Sequence, residues 1–184
     1  MFMLARPVIS GQPLRLLQLA CALLALQSPS ATADPLRDAE RLLRVADAGT
    51  KFEYRAQRQA ERIIHNYTVI ISRNTDYHLP VPVRQQIAEC YSEAYRWENF
   101  AAGIARILAD NLSGEELRLL IDFHRNLGLP PSKIDLFRNT VAKVGLIHEQ
   151  SAEYIFTRSP GCVDQDAELI LRHLREQDIL LRPL

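Results

Sequence analysis

One stretch, Leu112 to Arg125, limits what this chain can fold into more than any other. It opens with Ser113-Gly114-Glu115-Glu116, a Ser-x-x-Glu helix start. In such a start the serine hydroxyl accepts from the glutamate amide, and the glutamate carboxylate reaches back to the serine amide. Leu117, Leu120, Ile121 and His124 follow at helical spacing, and Leu119 and Phe123 widen that face. Only Arg118, Asp122 and Arg125 form a polar stripe. A helix this apolar needs neighbours on several sides. The expectation is a helix over 113–126 at the centre of a bundle, with Arg118, Asp122 and Arg125 as a charge network on its outer side.

The rest of the chain agrees on the class. Asp34-Pro35 reads as a capping aspartate followed by proline at the first helical position. Leu36, Ala39, Leu43 and Ala46 then keep one face, and Gly49 offers a stop. A longer helix follows from Thr50 to Arg73, with Ala56, Ala60, Ile63, Tyr67 and Ile70 in a row. Val69-Ile70-Ile71 is β-branched, yet no second strand-like run exists to pair with it. Residues 83–111 keep helical period through Val83, Ile87, Tyr91, Ala94 and Leu108, as one helix or as two meeting near Arg96-Trp97. Gly128 and Pro130-Pro131 end the central helix. A further helix runs over 131–156 with Ile134, Phe137, Val141, Val144 and His148 on its inner face. The last begins near Asp164 with Ala167, Ile170, Leu171 and Leu174 inward. The fold class is all-α, a single compact helical bundle of five to seven helices over residues 34–184.

Residues 1–33 read as an address. Arg6 and Arg15 are the only charges before Asp34, Leu16 to Leu26 is an apolar run, and Ala31-Thr32-Ala33 is a small-x-small site. Together they make a secretory signal peptide, with an apolar run too short to span a bilayer, which takes about 20 residues. Cleavage after Ala33 leaves 20 basic against 22 acidic residues, a net charge of −2. Such a balance gives no footprint for nucleic acid or for an anionic membrane surface. The localisation expected is periplasmic or secreted, without an integral membrane span in the mature chain. Cys21 leaves with the leader, so Cys90 and Cys162 remain, a natural disulfide pair in an oxidising compartment.

Familiar catalytic and phosphate-binding patterns are absent from the sequence. It holds no Gly-x-x-x-x-Gly-Lys-Ser/Thr, no Gly-x-Gly-x-x-Gly and no Gly-x-Ser-x-Gly. His148-Glu149 begins like a zinc-protease helix, but Ala152 stands where the second histidine belongs. No cofactor and no metal site is expected. The candidate binding residues are Trp97, Phe123, His124 and Arg125. Trp97 is the only tryptophan, a packing anchor or a ligand-facing ring. His124 and Arg125 would stand at the mouth of a groove, towards an anionic or carbonyl-bearing ligand.

These residues carry a resemblance. The leader, Trp97-Glu98, and then Ser113, Glu116, Leu117, Phe123 and Arg125 in a Leu-Ser-x-Glu-Glu-Leu…Phe-x-Arg pattern resemble the bacterial family described as domain of unknown function 2059. His124 stands in place of the family's usual tyrosine. Asn126 to Pro131 replaces its Ser-Pro-x-Gly turn, with Lys133 near the family lysine. The resemblance implies a small, all-helical, exported protein and supplies no catalytic residue. The function expected is a non-enzymatic interaction module that binds an envelope protein or itself. The alternatives are a carrier or sensor of a small apolar or amphipathic ligand lined by Tyr91, Trp97 and Phe123, and an envelope-polymer hydrolase using Glu116, His124 and Arg125. N-terminal sequencing of the exported chain should read Asp-Pro-Leu-Arg from Asp34; a start at Met1 would contradict the leader.

Overall fold

The computed structural model describes residues 34–75 and 77–179; residues 1–33, where a leader and its cleavage are expected, and 180–184 lie outside them. In chain order they form α1 (Pro35–Val45), α2 (Ala48–Thr75), α3 (Val81–Ala94), a 3-10 turn (Trp97–Asn99), α4 (Ala101–Asn111) and α5 (Gly114–His124). A second 3-10 turn (Pro131–Lys133), α6 (Ile134–Ala142), α7 (Val144–Arg158) and α8 (Val163–Glu176) complete them. Lys143 alone separates α6 from α7, so the pair counts as one bent helix and the whole as seven. There is no strand among the described residues, and no helix among them is long and apolar enough to cross a membrane.

Local signals place most of the boundaries. The Asp34 carboxylate accepts from the Leu36 amide at 3.1 Å, and Pro35 takes the first turn of α1. The break before α2 falls at Ala46–Asp47, where Asp47 takes a left-handed φ of 51°, and not at Gly49, which lies inside α2. Aspartate tolerates that conformation through its short polar side chain. Residues 83–111 resolve into two helices, α3 and α4, parted by the 3-10 turn that carries Trp97. The expected helix over 131–156 is bent at Lys143.

Two apolar cores result. In the first, Ala60 and Ile71 of α2 meet Val83, Ile87, Tyr91 and Ala94 of α3 and Ile170 and Leu174 of α8. In the second, Ala39 and Leu42 of α1 meet Ala105 of α4, Leu112, and Leu117 and Ile121 of α5. A series of aromatic rings extends from the first core through Tyr95. Buried Phe100 packs against Phe52, Tyr95 and Tyr154 with ring centres 5.5, 6.3 and 6.5 Å away. Tyr154 reaches in from α7 because Gly103 makes room: a Cβ there would lie 2.1 Å from the ring's Cζ. The Ser113 helix is thus not the hub of the fold. It buries Leu117 and Ile121 in the second core and Glu116 and Leu119 outside it, while Phe123, His124 and Arg125 stay exposed. Arg118 also departs from the expected network within the helix and pairs instead with Asp38 of α1 at 3.3 Å.

Cys90 and Cys162 are bridged, tying α3 to the start of α8. Behind the bridge, Asp166 is buried and accepts from the hydroxyls of Tyr91 at 2.9 Å and Tyr67 at 3.3 Å. The Tyr77 hydroxyl meets His173 Nε2 at 2.7 Å further along α8. These links supplement the few large apolar side chains, Ile170 and Leu174, by which α8 is anchored. The bridge closes a loop of 72 residues, for which chain entropy gives about 4 kcal/mol. Replacing Cys90 and Cys162 with serine should lower unfolding stability by up to that amount in urea titration. Thiol titration of the denatured, unreduced chain should find neither cysteine free; unchanged stability, or free thiols at both positions, would refute the strap.

Candidate docking surface

The geometry of the candidate surface starts from one buried carboxylate. Glu116 is 4 % exposed. It completes the capping box, accepting from the Ser113 amide at 2.8 Å while its own amide donates to Ser113 Oγ at 3.3 Å. A carboxylate removed from water needs more than that. Lys143 Nζ comes within 2.8 Å of it, and Thr140 Oγ1 lies 3.4 Å from Oε1. Lys143 also donates to the Asn111 carbonyl at 3.2 Å, so one ammonium closes the end of α4 and the start of α5 together. Burial by itself would raise the Glu116 carboxyl. The bonds from Lys143 and Ser113 and the lysine charge outweigh it, and hold the group below the ordinary glutamate range. Asp166 shows the opposite balance: burial lifts its carboxyl despite the two tyrosine hydroxyls.

Serving Glu116 fixes how α6 is rolled. Thr140 and Lys143 must face inward, and Leu136 and Ile147 lie on the same side. Each residue advances about 100° around a helix, so the apolar row read as the inner face is turned out. Ile134 is 44 %, Val141 47 % and Val144 55 % exposed, and His148 is exposed as well. Phe137 is half covered, its ring 5.2 Å from that of Phe123 at the end of α5. The next helix continues the pattern. Ile147, Gln150 and Tyr154 of α7 turn to the bundle, Gln150 accepting from Asn111 Nδ2 at 2.7 Å. Gly145, His148, Glu149, Ala152 and Phe156 point away, and Phe156 is 82 % exposed. No residue of α7 is fully buried, and in α6 only Thr140 is.

The predicted site residues fall in two places. Phe123 and His124 line a shallow groove of about 330 Å³ with Asn126 and Gly128, beside the α6 face. Arg125 is exposed one residue further on. Trp97 lies elsewhere, in an open groove of about 590 Å³ with Glu40, Arg44, Asp47, Glu53 and Glu98. Its backbone amide donates to Glu53 at 3.0 Å, its ring packs on Phe52, and a Cβ on Gly49 would lie 2.8 Å from the indole. Tyr91, the third ring of the carrier reading, is buried against Asp166 and lines neither groove. The hydrolase set does not converge either: Glu116 is held beneath Lys143, whereas His124 and Arg125 face solvent. Among the described residues no group of three or more His, Cys, Asp or Glu side chains is placed to hold a metal ion.

Sequence reasoning passed over Phe156 and Val144 as surface residues. A signal was there: Val144, Leu146, Ile147, Tyr154, Ile155 and Phe156 spread apolar character around most of α7, more than one contact face consumes. No protein-family model, no curated protein and no solved structure matches the chain.

Glu116→Gln keeps a capping acceptor but leaves Lys143 without a counter-charge. The loss expected at neutral pH is about 1 kcal/mol, the low end for a broken buried partner because Lys143 is partly solvated. The pH dependence has a definite sign. With its folded pKa depressed below the ordinary value of 4.5, Glu116 stabilises the fold above that pH, and the contribution disappears as pH falls through the lower folded value. Urea midpoints measured from about pH 7 down to 3 should therefore fall less steeply for Glu116→Gln than for the native chain. Parallel curves would contradict the pairing.

Proposed function

We propose that this chain is a non-enzymatic binding module of the bacterial envelope, holding a protein partner on the outward face of α6 and α7. The export leader at residues 1–33 and the likeness to the secreted helical family described as domain of unknown function 2059 are parts of the same proposal. One observation carries it. The segment from Ile134 to Arg158 has a single fully buried residue, yet it exposes Ile134, Val141, Val144, Leu146 and Phe156. Scattered exposed apolar residues are ordinary on a protein surface, whereas an apolar series on adjoining helices marks a contact face. Phe123 adds an aromatic side chain at the inner edge of that face, the residue class that anchors interfaces.

A photo-crosslinking residue in place of Phe156 should trap a defined adduct in cells. The same residue in place of Gln59, exposed on α2, should trap none. No adduct at Phe156, or the same adducts at both positions, would count against the docking face. Phe156→Asp should leave the urea midpoint within about 0.5 kcal/mol of the native chain, as expected for an exposed site, while weakening capture of the trapped partner.

A further inference from the structure

We infer that the Cys90–Cys162 bridge is a redox latch: it holds α8 at a roll that buries Asp166, and on reduction the helix turns about its own axis, carrying Asp166 to water and Leu171 into the first core. The latch belongs to α3 and α8 and does not depend on the docking face.

Two rows of α8 compete for the first core. Cys162, Asp166, Ile170 and Leu174 stand at every fourth position, and that row is buried. The row that periodicity assigns to the interior is Ala167, Ile170, Leu171 and Leu174, with Val163 continuing it one turn earlier. It is wholly apolar and shares Ile170 and Leu174 with the buried row. Yet Val163 is 62 % and Leu171 46 % exposed, and Ala167 is exposed as well. An aspartate therefore occupies the interior while three apolar side chains of the same helix face solvent. A roll of about 90°, just under one residue step around the helix, would bring all three inward. It would give up half-buried Leu169 and the contact of His173 with Tyr77.

The interior offers Asp166 little. The titratable groups that bear on it are Tyr91 of α3 and Tyr67 of α2, both neutral hydroxyls. A carboxylate buried without a cation is disfavoured, and its raised carboxyl reflects that. Glu116, the other buried glutamate or aspartate, has Lys143 beside it. The bond four residues before Asp166 is what keeps it inside. Cys162 is 3 % exposed at the N-cap of α8 and joins Cys90 of α3, their Cα atoms 6.1 Å apart. Turning α8 by a quarter would swing the Cys162 side chain off α3, and two cysteines whose Cβ vectors point apart cannot stay bridged.

A dithiol can open the latch. Cys90 is the less buried partner, so its sulfur is the one a thiolate reaches. Attack at Cys90 Sγ breaks the bond to Cys162 Sγ, which leaves as a thiolate and takes up a proton. The second sulfur of the dithiol then attacks the first, Cys90 leaves and is protonated, and the reductant ends as a disulfide. Two electrons and two protons pass from the dithiol to the chain, and α8 is free to turn.

Methyl NMR on the purified chain, before and after treatment with dithiothreitol, tests this. In the bridged chain a soluble paramagnet should broaden the Leu171 methyl signals more than those of Leu169. After reduction the order should reverse, and Leu171 should gain NOEs to the ring of Tyr67 or Tyr91. The Asp166 carboxyl should then titrate in the ordinary aspartate range and no longer above it. Leu171→Asp should leave the urea midpoint of the bridged chain unchanged. In the reduced chain it should raise the unfolding equilibrium constant about tenfold, the lower end for a leucine lost from a core. Leu171 still exposed after reduction, with the Asp166 carboxyl still raised, would overturn the latch. So would Leu169 and Leu171 broadened alike with Leu171→Asp silent, which means a detached α8, or a reduced chain that loses its helical circular dichroism.

Discussion

The roll of α6 depends on a carboxylate that cannot reach water. Glu116 enters the interior because the capping box points it back to Ser113 and because Leu117 and Ile121 bury the adjoining side of α5 in the second core. Once inside it must be neutralised, since an unpaired buried charge is among the costliest defects a fold can carry. Lys143 and Thr140 are the groups that answer. The requirement is local, but its consequence extends along the chain. Anchoring Thr140 and Lys143 turns Ile134, Val141 and Val144 outward, and the bend at Lys143 then sends α7 along the bundle with Phe156 uncovered.

The two cores are held in different ways. The second is mainly apolar side chains meeting between α1, α4 and α5, with the Glu116–Lys143 pair at its margin. The first encloses a buried acid of its own, Asp166, whose partners are neutral hydroxyls rather than a cation. That choice leaves the carboxyl raised and its charged form disfavoured, and the disulfide beside it compensates by tethering α8 covalently. The ring series through Tyr95, Phe100 and Phe52 extends from the first core, with Trp97 at its outer end. Trp97 therefore serves packing on one edge while the other borders an open groove.

Much of this was legible in the residues. The helical class followed from periodicity, the starts of α1 and α5 from Asp34-Pro35 and from the Ser113–Glu116 box, and the bridge from the two cysteines that lie beyond the expected leader. The roll of α6 was not legible. Ile134, Phe137, Val141 and Val144 form a good apolar row, and periodicity assigns such a row to the core. It cannot see that a carboxylate more than twenty residues upstream will claim the neighbouring row. The break at Asp47 in place of Gly49 was hidden similarly, because Gly49 is there to admit the indole of Trp97, far along the chain, and not to end a helix. The candidate site was half legible: Phe123 and His124 do border the face, but Val144 and Phe156 become meaningful only once α6 is rolled outward.

The most direct measurement of that roll is the alkylation rate of single cysteines introduced by Thr140→Cys and Val141→Cys, with Cys90 and Cys162 bridged. The two positions are adjacent in sequence, so helix content and local fraying affect them alike. The account predicts rapid labelling at position 141 and strong protection at 140. Protection at 141 with rapid labelling at 140 would mean that the apolar row faces the core after all, and that Glu116 does not set the fold of this segment.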